Sequence, residues 1–172
     1  MNCDPTLGSS NSVADKISIA EYPGLVGQAL EPSDWVDITQ ERIDQFADAT
    51  NDHQFIHVDP QKAAQTPFGG TIAHGFLTLS LLSHFMETSL PKIKDVTMGL
   101  NYGSDKVRYL APVNVGQRVR AQFKITEVAE KRPGQWMVKT AATVEIENET
   151  TPALIAEILS MFIVDAKNEG NA

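Results

Sequence analysis

The 172 residues carry a net charge of -8, are 42% hydrophobic and 21% charged, and include one cysteine. That is the composition of a globular domain with a single core, which argues against wholesale disorder, and the acidic balance argues against a general nucleic-acid binder. No basic stretch followed by an apolar run opens the chain and no apolar run suits a bilayer span, so neither a secretory signal nor a membrane helix is expected; the lone Cys3 has no partner for an internal disulfide, which fits a reducing, cytoplasmic location.

Residues 1–20 are rich in Ser, Asn and Asp and read as a flexible leader, with the folded domain expected over 21–165 and a flexible tail over 166–172. Tyr22-Pro23-Gly24 and Gly27 signal turns. Trp35, Val36 and Ile38 suggest a short extended segment. Thr39 offers a helix N-cap with Glu41 in the first turn, and Ile43, Phe46 and Ala47 follow at helical spacing, which predicts an amphipathic helix over Gln40–Ala49. The run from Thr50 to Asp59 fits neither helical nor strand periodicity. Asp59-Pro60 reads as a cap and first position of a short helix through Ala64, and Thr66–Gly70 as a loop.

Thr71–Leu90 is the longest apolar run in the chain. Ile72, Phe76 and Leu79 lie on one side of a helix here, and Leu77, Leu81 and Phe85 on another. A helix apolar nearly all round is a buried one. After Pro91 the period changes to two. Strands are expected over Met98–Tyr109 with a bend at Gly103, around Val119–Ile125, over Trp136–Ile146 and over Ala153–Val164, the last buried on both faces. The expected fold is α+β, with an antiparallel sheet wrapped around a long central helix.

Charge is unevenly divided along this chain. Before Pro91, Lys16, Arg42 and Lys62 face twelve acidic residues; from Lys92 to Lys139, ten basic residues face Asp95, Asp105, Glu127 and Glu130. A basic half attracts an anionic ligand locally, or is simply the solvated side of the strands.

Asp52 and His57 are the chemistry-bearing pair. They lie five residues apart in irregular backbone, which can aim both side chains into one pocket. A carboxylate and an imidazole can share a water, remove its proton and return a proton elsewhere near neutral pH; the same residues also serve as a cap and a turn. His53 and His57 have zinc-helix spacing, but no Glu adjoins His53 and no third ligand is suitably spaced, so no metal is expected. Gly75 near the start of the central helix leaves either a backbone N–H free for a substrate carbonyl or room for close packing. Ser83, eight residues on, lies on nearly the same face, where it can orient a carboxylate or bond its own backbone.

The stretch Phe46-Ala-Asp-Ala-Thr-Asn-Asp52-His-Gln-Phe-Ile-His57, followed by Pro67-Phe-Gly-Gly-Thr-Ile-Ala-His74-Gly75, resembles the MaoC-type dehydratases. These are the hot-dog-fold (R)-specific enoyl-CoA hydratases, including the branch of nodulation protein N-like proteins. The family motif runs Gly-Asp-x-Asn-Pro-(Leu/Ile)-His and then Pro-(Ile/Val)-x-His-Gly. The likeness continues through Asn101-Tyr102-Gly103, Val107-Arg108-Tyr109, Pro112-Val113 and Pro133-Gly134-Gln135-Trp136 and covers roughly Trp35–Val164.

The resemblance implies interconversion of trans-2-enoyl-CoA and (3R)-hydroxyacyl-CoA without a metal or redox cofactor. It implies Asp52 and His57 as the catalytic pair, the Gly75 N–H as the oxyanion hole, and Ser83 and Asn51 in support. Phe68, Gly69, His74, Lys106 and Arg108 are expected substrate contacts, the last two for the CoA phosphates. The expected partners are an acyl-CoA thioester and a second copy of the chain in a homodimer. Asn51 replaces the usual glycine, and Gln54-Phe55 replaces Asn-Pro. An acyl-CoA thioesterase and a non-catalytic acyl-CoA-binding or signalling module are the rival readings, because one fold hosts several functions.

Overall fold

The computed structural model describes residues 16–165. Most of the expected leader, Cys3 included, and the whole expected tail lie outside this range. Four helices precede the long strands: α1 (Gln40–Thr50), α2 (Phe55–Val58), α3 (Pro60–Ala63) and α4 (Gly75–Ser89). The strands are β1 (Val36–Asp37), β2 (Val96–Tyr109), β3 (Arg118–Arg132), β4 (Gln135–Ile146) and β5 (Leu154–Val164). They form one antiparallel sheet in the order β1-β3-β4-β5-β2. This is the expected hot-dog arrangement, a sheet laid around one long helix.

The core follows from the alternation. Val119, Ala121 and Phe123 of β3, Ala142, Val144 and Ile146 of β4, and Leu154, Ala156 and Ile158 of β5 all point inward. They meet Leu77, Leu81, Leu82 and Phe85 of α4. β2 is bulged between Asn101 and Gly103, where the sequence predicts a bend.

Four expectations change. First, α4 begins at Gly75 rather than Thr71. Ile72 forms a bridge with Asn114, and the Ala73 N–H donates to the Val113 carbonyl, so the residues before Gly75 are held extended by neighbouring backbone. Second, α4 is buried on one side only: Phe76 is 69% exposed and Ser80, Ser83 and His84 face outward. A sheet of this size covers one face of a helix and leaves the other open. Third, the outer face of β5 is half-buried, not buried, because nothing among the described residues covers it. Fourth, the packed chain starts earlier than residue 21. Ile17 bridges Ile93, and Ile19 and Tyr22 form a second small core with Ile125 and Val138.

Phe85 is fully buried at the centre of the contact between α4 and the sheet. Phe85→Ala is expected to cost about 3–5 kcal/mol of stability, read in urea denaturation as a lower midpoint with an unchanged slope.

Candidate active site

The site is built on the loop between α1 and α2. Thr39 caps α1 by accepting from the Arg42 N–H, and Asn51 closes its far end in the left-handed conformation, with φ of 56°. Asparagine is among the few residues with a Cβ that tolerate that conformation, which explains how it stands where the family carries glycine. The chain then turns, with the Asp52 N–H donating to the Ala47 carbonyl. Phe55 takes the first position of α2, where proline would also fit. One turn of helix then carries His57 inward, a helical turn that the sequence pattern did not reveal.

His57 is buried, 7% exposed. Its Nδ1 lies 2.7 Å from the Ile72 carbonyl oxygen. A carbonyl only accepts, so Nδ1 carries the proton and Nε2 keeps a bare lone pair. Burial pushes the His57 pKa below the ordinary imidazole value; donation to Ile72 and the Asp52 charge oppose this, and a charge on His74 would reinforce it. His57 is therefore neutral near pH 7.

The Asp52 carboxylate is exposed, and one of its oxygens lies within 4.8 Å of ring nitrogens of both His57 and His74. By residue type these three could bind a metal. However, the two rings are stacked at 3.8 Å with planes 26° apart. The His57 Nδ1 and His74 Nε2 are already turned to the carbonyls of Ile72 and Asp52. Lone pairs on near-parallel rings do not converge on one tetrahedral ion. His53 turns away to exposed Asp48, 3.7 Å from its carboxylate.

His57 opens onto a cavity of about 500 Å³, walled by Phe68, Gly75, Phe76, Tyr109 and Val113 among others. Gly75 begins α4, whose first turn has no side-chain cap, and its N–H has no backbone acceptor among the described residues. This is a free donor at the positive end of the helix dipole. A methyl at Gly75 would stand 2.9 Å from Cε1 of Tyr109. The glycine thus serves close packing as well as leaving its amide open, and the neighbour is an aromatic side chain rather than backbone.

The other expected contacts divide. Phe68 lines the cavity, whereas Gly69 shapes the preceding loop with φ of 72°. His74 is 2% exposed and sits behind His57, not on the cavity wall. Ser83 is not brought to Asp52 within the chain; its hydroxyl accepts from Asn101 on β2, beside a different cavity. Lys106 and Arg108 alternate with Val107 and Tyr109, so they project from the sheet face opposite the cavity. Two residues escaped the sequence reading. Gln40 donates to the His57 carbonyl at 2.8 Å and accepts from the Thr71 hydroxyl, and Tyr109 covers Gly75. Tyr109 falls inside a segment shared with the family, but no local pattern marks Gln40.

An antiparallel sheet around one helix defines a hot-dog protein, here with a carboxylate and a neutral imidazole beside that helix's start. Residues 21–150 match the family described as the MaoC like domain, and the chain belongs to that family. It is 50% identical over 151 residues to Nodulation protein N of Rhizobium leguminosarum bv. viciae, covering 87% of this chain and 94% of that protein. It is 45% identical over 146 residues to 3-hydroxyacyl-thioester dehydratase Z of Mycobacterium tuberculosis, covering 85% of this chain and 96% of that protein. The (R)-hydratase from A. caviae has the same fold, with a TM-score of 0.64 at 23% identity over 77% of this chain and 95% of that one.

The depressed His57 pKa has a sign that can be checked. The unfolded chain takes up the proton more readily than the folded one, so protonation favours unfolding. Stability is expected to fall as pH drops below about 6.5, and His57→Gln should remove that part of the fall. The ring resonances of His57 in NMR should titrate below the ordinary value.

Proposed function

We propose that the chain is an (R)-specific enoyl-CoA hydratase, adding water reversibly and syn across a trans-2-enoyl-CoA to give the (3R)-hydroxyacyl-CoA. The observation that carries the reading is the pairing of two proton acceptors, the Asp52 carboxylate and His57, whose Nε2 is bare and whose ring opens onto a cavity that Gly75 also lines. The thioester and the reaction class are supported by the dehydratase relative and the family.

Water has two hydrogens, and the site offers two acceptors for them. With one directed to Asp52 and the other to His57, a lone pair on the oxygen is left to attack C3. As the C3–O bond forms, Asp52 takes a proton and the C2=C3 π electrons move toward the thioester, placing enolate charge on its oxygen. The Gly75 N–H and the start of α4 stabilise that charge. The enolate collapses by taking the proton at C2 on the same face, which restores the carboxylate. Nothing is oxidised or reduced, so the cycle closes without a redox cofactor. Phe68, Phe76 and Val113 give the cavity apolar walls suited to an acyl chain.

Asp52→Asn and His57→Gln are each expected to lower kcat for crotonyl-CoA hydration by about 10²- to 10⁴-fold while thermal unfolding shows an intact fold. Loss of enoyl absorbance without free thiol identifies hydration. Thiol release at a matching rate would instead indicate a thioesterase, and near-normal turnover in either variant would remove the assignment.

The homodimer belongs to the same proposal. β2 is an edge strand of 14 residues, exposed along most of its length. It carries Met98, Leu100 and Tyr102 at 53%, 44% and 62% exposure. A long, apolar, unpaired edge invites another strand, and a second copy related by a two-fold axis supplies β2 in the antiparallel sense. Gel filtration should give twice the chain mass, and Leu100→Lys with Tyr102→Lys should return the monomer; a monomeric wild type would refute the pairing.

A further inference from the structure

His74 is a costly residue for the place it occupies. It is 2% exposed, with Phe46 tilted against it at a centroid distance of 5.1 Å and His57 stacked on it at 3.8 Å. Its Nε2 lies 2.9 Å from the Asp52 carbonyl oxygen, so that nitrogen carries the proton. Its Nδ1 is buried with no hydrogen-bond partner. An unsatisfied buried polar atom costs about 1–3 kcal/mol, and a phenylalanine or leucine in the same volume would avoid that. Something other than packing therefore holds an imidazole there.

We propose that His74 is a positioning residue, whose Nε2–H ties down the main chain of Asp52 while its ring face backs His57, so that one side chain sets the relation between the carboxylate and the imidazole. The geometry of each half is separately visible. Asp52 is on an exposed loop whose own side chain has no hydrogen bond to hold it among the described residues, and its backbone is fixed at the N–H by Ala47 and at the carbonyl by His74. His57 is fixed along its ring edge by Ile72, at its own carbonyl by Gln40, and across its face by His74. His74 thus touches both members of the pair, Asp52 at its carbonyl and His57 across its ring. It directly precedes Gly75, so the same short segment places the oxyanion donor and the support behind the base. Direct contact with substrate is not part of this role, since the ring lies behind His57 and off the cavity wall.

The kinetic arm of the test rests on the hydratase reading; the spectroscopic arm does not. Two variants separate the two halves of the role. H74Q keeps a donor near the Nε2 position but loses the flat ring, and H74F keeps the ring but loses the donor. H74F is expected to lower kcat roughly a hundredfold with KM little changed, the scale expected of a displacement near 1 Å, and H74Q to recover a substantial part of that loss. By hydrogen exchange, the Asp52 amide, itself bonded to Ala47, should exchange about five- to tenfold faster in H74F, because opening of the loop then no longer has to break the His74 bond to the Asp52 carbonyl, and near the wild-type rate in H74Q. Long-range nitrogen–proton spectra of the wild type should show His57 protonated at Nδ1 and His74 at Nε2. Wild-type kcat and Asp52 exchange in H74F would overturn the proposal, as would equal loss of kcat in both variants with exchange unchanged. If H74F does not fold, H74N replaces it, its amide being too short to reach the Asp52 carbonyl, with the same expected and overturning results. If the wild type hydrates no enoyl-CoA, the hydratase reading fails, and the exchange rates and tautomers alone decide the role of His74.

Discussion

The hydrogen bond from the His57 Nδ1–H to the Ile72 carbonyl is the constraint on which the site depends. It does not act alone. The Ile72 N–H donates back to the Ile56 carbonyl, so α2 and the segment before α4 are clamped by two bonds in opposite directions. On the other side of the same segment, Ala73 donates to Val113 and Val115 donates to Thr71. Three regions far apart in sequence thus meet along Thr71–Ala73, and α4 starts where that clamp ends. The Gly75 amide is left open because the backbone just before it is committed sideways to neighbours rather than forward into the helix.

The same clamp sets the electrostatics. A buried imidazole whose Nδ1–H is taken by a carbonyl has one nitrogen left, and burial keeps that nitrogen unprotonated near neutral pH. Asp52 stays at the solvent edge, where water solvates its charge. One group is a buried neutral acceptor and the other an exposed carboxylate, although only five residues separate them. Low dielectric on one side and water on the other is a common way for a site to give neighbouring groups different roles.

The fold leaves its most exposed apolar surface next to the site. Phe76 and Tyr109 make an edge-to-face pair with ring centroids 6.3 Å apart at the rim of the cavity, and both are well exposed. Farther along β2, Tyr102, Leu100 and Met98 are also exposed. The sheet covers one side of α4, and among the described residues nothing covers the other. Polar groups on that open side, Ser83 and Asn101, bond to each other. Among the described residues no helix is long and apolar enough to cross a membrane, so the apolar character of α4 belongs to its packing.

Local chemistry alone determined much of this protein. Thr39 and Asp59 cap helices where the pattern of small polar residues before apolar or proline positions places them, and the alternation in β3 and β4 decides which face is buried. That Asp52 and His57 lie close together and that Gly75 stands at the start of the central helix was legible from a shared family motif and from the irregular backbone between α1 and α2. Only the tertiary structure decided the start of α4, since its first apolar residues are recruited into bridges with residues some forty positions later, and helical periodicity cannot register such a competitor. It also decided that His74 stacks on His57, that Ser83 pairs with Asn101, and that Gln40 holds the His57 backbone. Those outcomes depend on which side chains are brought within about 3 Å of one another, a property of the assembled fold that spacing along the chain does not encode.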